Sequence, residues 1–598
     1  MVATNGKAKR RTSARRDSGS DSDTRTATEA GPVAAPPSRG RAKADAAAKR
    51  QLHTVSAREA AAQVRDIAAV STNLDVRGRL RRLASLVTRG LGNVQRQTFV
   101  EATLADCLDD ATGRSGGDRW LLCEAATWTL AWMARSRRAG GSAGGLLERL
   151  VREGRSCRGV LGDRDTQPAR FVLTLARLFA DIEACACLEA DAAGAAAEEI
   201  SRLVSPEGTV GLTGSAAMVE RVVRWTSIRE VCRITGGIPW DEETDVRWAA
   251  AATAAVRLLG GAGRGIAGAG RLPVCFTAPL LAAVDRRDAV ISKPARRTVR
   301  ALRRGGRRPD TDKLLARAAH DPASAMAVIR TGWHRDAIRV LVDYRTATPR
   351  LEIAVHDRML VEGPWAWRVS LHGRPLDAEA AWSVSCWESD RKASFLEISA
   401  PLGQGLQLNR QIVVVPAERI VMLADAVITT GPAAAGSGSG LQYESLLPLV
   451  APLDTEEAEE NREICVYDTA MRCMALPLAL PEWKAAGGGR FAATPEGLVL
   501  EQRTAATRLY APVWLDCDPA RVGGPLTWRQ LTVADTRMNL PPHQAVGFRV
   551  QAGLRQWLVY QSLDCPRNRT LLGCNVSCDF LFGRIRRSGE VSRTLEIQ

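Results

Sequence analysis

Residues 323–373 read ASAMAVIRTGWHRDAIRVLVDYRTATPRLEIAVHDRMLVEGPWAWRVSLHG, and this stretch decides how the chain divides. It breaks into short runs rich in Val, Ile, Leu and Trp: Met326–Arg330, Ile338–Tyr344 and Leu351–Val355, with a Gly-Pro-Trp turn at Gly363–Trp365. Gly, Pro, Asp or charged pairs bound each run. Runs of this length with partial period-two alternation predict antiparallel strands, and helical periodicity is hard to find here. The pattern continues through WSVSCWESD, ASFLEISA, QIVVVPA and RIVMLADAVI to Ile428, and strand-like runs follow as far as the closing LEIQ. So many strands predict a large antiparallel β-sandwich of two sheets over residues 322–598.

Working outward towards the N-terminus, the period changes. Ser56-Ala-Arg-Glu59 has the spacing of a helix capping box, and apolar residues recur behind it at Ala60, Val64, Ile67 and Ala68. Amphipathic segments follow near Val76–Leu91, Val94–Leu108, Arg119–Ala134, Leu146–Val151, Ala169–Leu188, Ala193–Leu203, Ala216–Ile234 and Asp245–Leu259. Successive helices with no strand between them predict an all-α domain over 51–285, without a fixed-period repeat. Between the two patterns, residues 286–321 carry clustered Arg with Pro294, Gly305, Gly306 and Pro309, which reads as a basic linker.

The chain has 598 residues, more than one hydrophobic core usually serves, so two large domains are expected. Its formal charge of +16 suggests a nucleic-acid binder until the charge is located. Residues 1–50 hold 12 Lys+Arg and 5 Asp+Glu, and residues 285–320 hold 12 and 4, so a tail and a linker carry nearly all of it. Residues 1–50 contain almost no large apolar side chain and are expected to form a disordered basic arm, able to make non-specific polyanion contacts. That N-terminus has no apolar stretch behind its basic residues, which predicts a cytoplasmic location. No uncharged apolar run reaches the length of a membrane span. The 14 Cys are scattered, Cys565, Cys574 and Cys578 lack the paired spacing of a zinc site, and neither metal nor cofactor is expected. No phosphate-loop, HExxH or GxSxG motif occurs, and the glycines of Leu258–Leu272 follow no strand.

Over Met326–Trp365, and more loosely over Arg419–Ile428, the order of strands and turns resembles the opening of the β-sandwich in heparinase II/III-like polysaccharide lyases. The resemblance implies that the helical domain is an α/α toroid and that an acidic polysaccharide lies in a cleft between toroid and sandwich. It also implies β-elimination, in which Tyr and His exchange protons while Asn, Arg or a second His neutralises the uronate carboxylate. The chain departs from that pattern. It has no His between Thr54 and Ala319 and no Tyr before Tyr344, so the helical domain lacks both proton-transfer side chains. His334, His356, His372 and His543 stand alone.

Tyr344, between Asp343 and Arg345 at a strand end, is the candidate acid/base, with Arg330 or Arg345 on the carboxylate. Tryptophan is abundant, 15 residues against 5 Tyr, and indole faces both fill cores and stack on sugars. Trp225 with Arg221, Arg224 and Arg229 forms an aromatic and guanidinium cluster that could serve as a platform for an acidic sugar. The function expected is binding, with possible cleavage, of an acidic polysaccharide. The alternative is a scaffolding protein whose basic arm touches nucleic acid or an anionic membrane.

Overall fold

A computed structural model describes residues 55–598 except 72, 93, 115, 136–141, 158–166, 268–269, 272–273, 288–289, 305–312, 431–439 and 537. The expected basic arm, residues 1–50, lies outside the described residues. Twelve α-helices come first among those described. They are α1 (Ala57–Val70), α2 (Leu74–Arg89), α3 (Val94–Thr112), α4 (Gly117–Arg135), α5 (Ser142–Ser156) and α6 (Gln167–Leu178), then α7 (Glu183–Ala186), α8 (Glu189–Leu203), α9 (Ser215–Thr235), α10 (Glu242–Leu258), α11 (Val274–Asp285) and α12 (Lys293–Arg304). Their ends follow local chemistry. Ser56 Oγ accepts from Glu59 N–H at 3.1 Å to start α1, and Asp241 accepts from Thr244 N–H at 2.8 Å to start α10.

The packing order makes the toroid. Helix α1 packs on α4, α4 on α6, α6 on α9, α9 on α11, and α11 returns to α1, which closes an inner ring. The partners lie outside it: α2 on α1, α3 and α5 on α4, α8 on α6, α10 on α9, and α12 on α11. Sequence explains which helices go inside. In α4 every residue from Trp120 to Met133 is buried, as a helix apolar all round must be. Outer α2 buries only Val76, Leu80, Leu83, Ala84 and Val87, and turns its arginines outward.

Helix α12 corrects the linker expected at 286–321. Ala295, Thr298, Val299 and Leu302 form a buried stripe, and Pro294 sits in the first turn, where a missing N–H costs nothing. The same span also holds the first strand of the sheet region. That region begins with a five-stranded antiparallel meander in chain order: β1 (Ala318–Asp321), β2 (Met326–Arg330), β3 (Arg339–Asp343), β4 (Arg350–Val355) and β5 (Arg358–Pro364). Because side chains alternate across a strand, Met326, Val328 and Leu341 pack into the helical core, while Ala327, Ile329, Val340 and Val342 pack into the sandwich core.

Beyond the meander lies an eight-stranded antiparallel sheet. One face packs against the meander and a five-stranded sheet that includes Ala366–Leu371, Leu441–Pro448 and Gly497–Thr504. The other face packs against a five-stranded sheet built around Ala545–Ala552 and Arg555–Ser562. The sandwich therefore has three layers, not two. The central strands Leu406–Val415 and Ile420–Thr429 are buried on both faces, and their unbroken apolar runs are what such burial demands. No helix among the described residues is long and apolar enough to cross a membrane.

Candidate functional site

Tyr344 closes β3, its backbone N–H donating to Ala325 O at 2.9 Å. Its hydroxyl lies 2.8 Å from His320 Nε2, and the His320 ring stands 5.0 Å from the ring of Trp387. The tyrosine is 3% exposed. Burial, reinforced by the negative charge of Asp321, pushes its hydroxyl up to about 12. Burial holds the His320 imidazole below its ordinary value, against the weaker pull of Asp321. Both rings are therefore neutral near pH 7. A general base working near neutrality needs the reverse adjustment of the tyrosine.

His320 is a residue that sequence spacing did not single out, because it falls in the span read as a linker. The available signal was the run Ala318–Asp321 ahead of the turn at Pro322, in register to pair with Met326–Arg330. Its titration has a consequence for stability. Between the lowered folded value and the ordinary value of about 6.5, the unfolded chain binds the proton that the folded site resists. Stability therefore falls as pH drops from 7 towards 5. His320→Gln should flatten part of that slope in denaturation midpoints taken at the two pH values. Equal slopes in both proteins would remove the argument.

The two arginines expected on a substrate carboxylate have other work, which corrects that assignment. Arg330, 2% exposed, donates from Nη1 to Arg257 O and Leu259 O, both at 2.6 Å, and stacks 4.7 Å over Trp333. Beside it, Arg339 donates to Leu258 O and, at 3.1 Å, to Ser215 Oγ. The last carbonyls of α10 have no intrahelical donors and carry the negative end of the helix dipole, and two sheet arginines supply both needs. At the other polarity, Glu352 accepts from Ser215 N–H at 2.8 Å at the start of α9. Arg345 is paired bidentately with Asp343 at 2.9 and 2.6 Å, and reaches Leu212 O at 3.0 Å. The seam between toroid and sheet is thus a set of helix ends answered by opposite charges.

The expected sugar platform on α9 is likewise corrected. Trp225 is fully buried, and its indole N–H donates to Glu199 at 2.8 Å, the carboxylate that also pairs with Arg221. Arg229 is 2% exposed, bound bidentately to Asp245 at 2.7 and 2.8 Å and stacked 4.1 Å over Trp248. Arg224 pairs with Glu220 one turn away. Helix α9 belongs to the inner ring, so the face that carries Trp225 meets core and no solvent. Trp225→Phe should cost about 1–3 kcal/mol by leaving Glu199 short of a donor, measurable as a lower denaturation midpoint. An unchanged midpoint would mean that water replaces the indole.

A closed helical ring followed by a layered antiparallel sandwich, joined through a meander, is a specific arrangement, and it recurs in solved structures. The Heparinase III-BT4657 gene product superposes with a TM-score of 0.55 at 9% identity, over 85% of this chain and 91% of that one. The chain has the heparinase III fold. The heparan sulfate lyase HepC from Pedobacter heparinus gives a TM-score of 0.52 at 10% identity, over 87% and 93% of the two chains. A further heparinase III structure gives 0.51 at 9%, over 81% and 82%. No family model and no curated protein matches the sequence.

Within this heparinase III fold, a cavity of 60 Å³ adjoins the Tyr344–His320 pair at the seam. It is lined by His320, Asp321, Glu207 and Arg257 on a mostly apolar wall. Asp321 is itself satisfied by Ser205 Oγ at 2.7 Å and by Ser324 N–H at 3.1 Å. This space holds one or two waters and not a sugar ring. Among the described residues, no group of three or more His, Cys, Asp or Glu is placed to hold a metal ion.

Proposed function

We propose that this chain binds an acidic polysaccharide and holds it without β-elimination. The heparinase III fold, matched along most of the chain, supports the polysaccharide half of the reading as a fold-level analogy. The observation that carries the other half is the Tyr344–His320 pair. β-Elimination by the candidate residues needs a Tyr344 hydroxyl that loses its proton near neutral pH, next to a sugar and an arginine free to take its carboxylate. Tyr344 is buried with its proton held tightly, the cavity beside its partner His320 is far smaller than a sugar, and Arg330 and Arg345 are engaged with carbonyls and with Asp343.

The test is equilibrium binding of the full chain to uronate-containing polysaccharides at moderate salt, by titration calorimetry. Saturable binding that weakens as salt rises is expected. A chain that binds none of them at low salt does not have this function.

A further inference from the structure

Helices α1 and α2 pack against each other, one in the inner ring and the other outside it. Between them runs a groove of 680 Å³ lined by Arg65, Ala69, Arg77, Arg81, Ser85, Thr88 and Arg89, with no acidic residue. On α2 the lining residues recur every three or four positions, so they form one ridge. At 1.5 Å per residue the ridge from Arg77 to Arg89 is about 18 Å long, with a step of about 6 Å between Arg77 and Arg81. The opposite face of α2 is the buried stripe from Val76 to Val87, which fixes the arginine ridge towards solvent.

Several of these side chains are held in place. Arg65 crosses from α1 to donate to Thr88 Oγ1 at 2.7 Å, and Thr88 donates onward to Ala84 O at 2.8 Å. Arg77 donates from Nε to Ser71 O at 3.1 Å. These partners are a hydroxyl and a carbonyl, which orient a guanidinium without neutralising it. The nearby carboxylate of Asp75 is engaged with Arg79 and Arg114. Among the described residues none of the four groove arginines is ion-paired. Four like charges along one short groove repel one another and raise the local potential, which an anionic ligand relieves.

We infer that this α1–α2 groove is the binding site for the acidic polysaccharide, on the helix pair and away from the toroid–sandwich seam. The inference rests on the function proposed above and gives it a place. A single small anion meets one or two of the arginines, whereas a chain with repeated carboxylate or sulfate groups meets the whole ridge. Guanidinium forks match both groups in bidentate geometry, and Ser85 offers a hydroxyl to the sugar. A single-stranded nucleic acid is the competing polyanion. It is disfavoured because no aromatic side chain lines the groove to stack a base.

Fluorescence anisotropy of the full chain with three labelled probes tests the site: a heparin fragment, a polygalacturonate fragment and a thymidine oligonucleotide. The variant Arg81→Glu/Arg89→Glu changes two exposed helix positions. Arg587→Glu, on the distant sandwich, is the matched control. The double variant is expected to lose at least about tenfold in polysaccharide affinity and to shallow the salt dependence by about two charges, while the control binds as wild type. Its thermal midpoint, expected within a few degrees of wild type, separates lost binding from lost fold. Wild-type binding that survives in the folded double variant overturns the groove but leaves the function standing. Failure of wild type to bind either polysaccharide overturns the function itself. Tighter binding of the oligonucleotide than of both polysaccharides overturns the ligand class.

Discussion

Asp425→Ala is expected to destabilise the protein by about 3–5 kcal/mol, the range for removing one partner of a buried ion pair. Asp425 and Arg410 are both fully buried in the sandwich, bound bidentately at 2.9 Å through each nitrogen. Tyr443 donates its hydroxyl to the same carboxylate at 2.5 Å, and burial and the Asp425 charge push that hydroxyl far above its ordinary value. The guanidinium lies 3.9 Å over Trp365 and 5.7 Å from Trp382. Removing Asp425 leaves a desolvated cation whose remaining partners are two aromatic faces and the Trp365 carbonyl. Asp425→Asn keeps an acceptor for one donor and should lie between wild type and Asp425→Ala. Denaturant midpoints order the three proteins, and an Asp425→Ala variant within 1 kcal/mol of wild type would show that water enters to solvate Arg410.

Arg339→Met is expected to cost about 3–5 kcal/mol for the same reason at the toroid–sheet seam. Arg339 is 2% exposed, 3.3 Å from Glu352, and donates to the Leu258 carbonyl at the end of α10. Its loss leaves Glu352 buried with only the Ser215 N–H and hydroxyl as donors. The double change Arg339→Met/Glu352→Met removes both charges, so its cost should fall well short of the sum of the single changes. Additive losses would contradict the pairing and point to separate roles. A chain of this size can unfold irreversibly, so unfolding rates at fixed denaturant provide the fallback reading.

The ion pairs show where sequence reasoning stopped. Helix and strand positions were legible because period and capping are local, as at Ser56 and Glu59. What a face meets is not local. The grouping of Trp225 with Arg221, Arg224 and Arg229 on one helix was correct, but only the ring closure α1–α4–α6–α9–α11 decides that α9 has core around most of its surface. The unbroken apolar runs QIVVV and IVML announced burial on both faces, and a three-layer sandwich follows from giving that observation its full weight. The sequence offers Arg330 and Arg345 as partners of a substrate carboxylate. Arg330 answers the carbonyls of Arg257 and Leu259, 73 and 71 residues away, and Arg345, besides its pair with Asp343, reaches Leu212 O 133 residues away in the loop before α9; no spacing rule anticipates these long-range contacts. His320 is hard to find in the sequence because its four-residue strand closes an Arg-rich span that reads as a linker.

The most direct measurement is ultraviolet absorbance of the full chain incubated with uronate-containing polysaccharides under conditions where calorimetry shows saturable binding. Unsaturated uronate product absorbs where the intact polymer does not. A holding role without elimination predicts saturable binding and a flat trace. Product that accumulates in proportion to protein, and disappears in Tyr344→Phe, would contradict it and make the buried Tyr344–His320 pair a working acid and base.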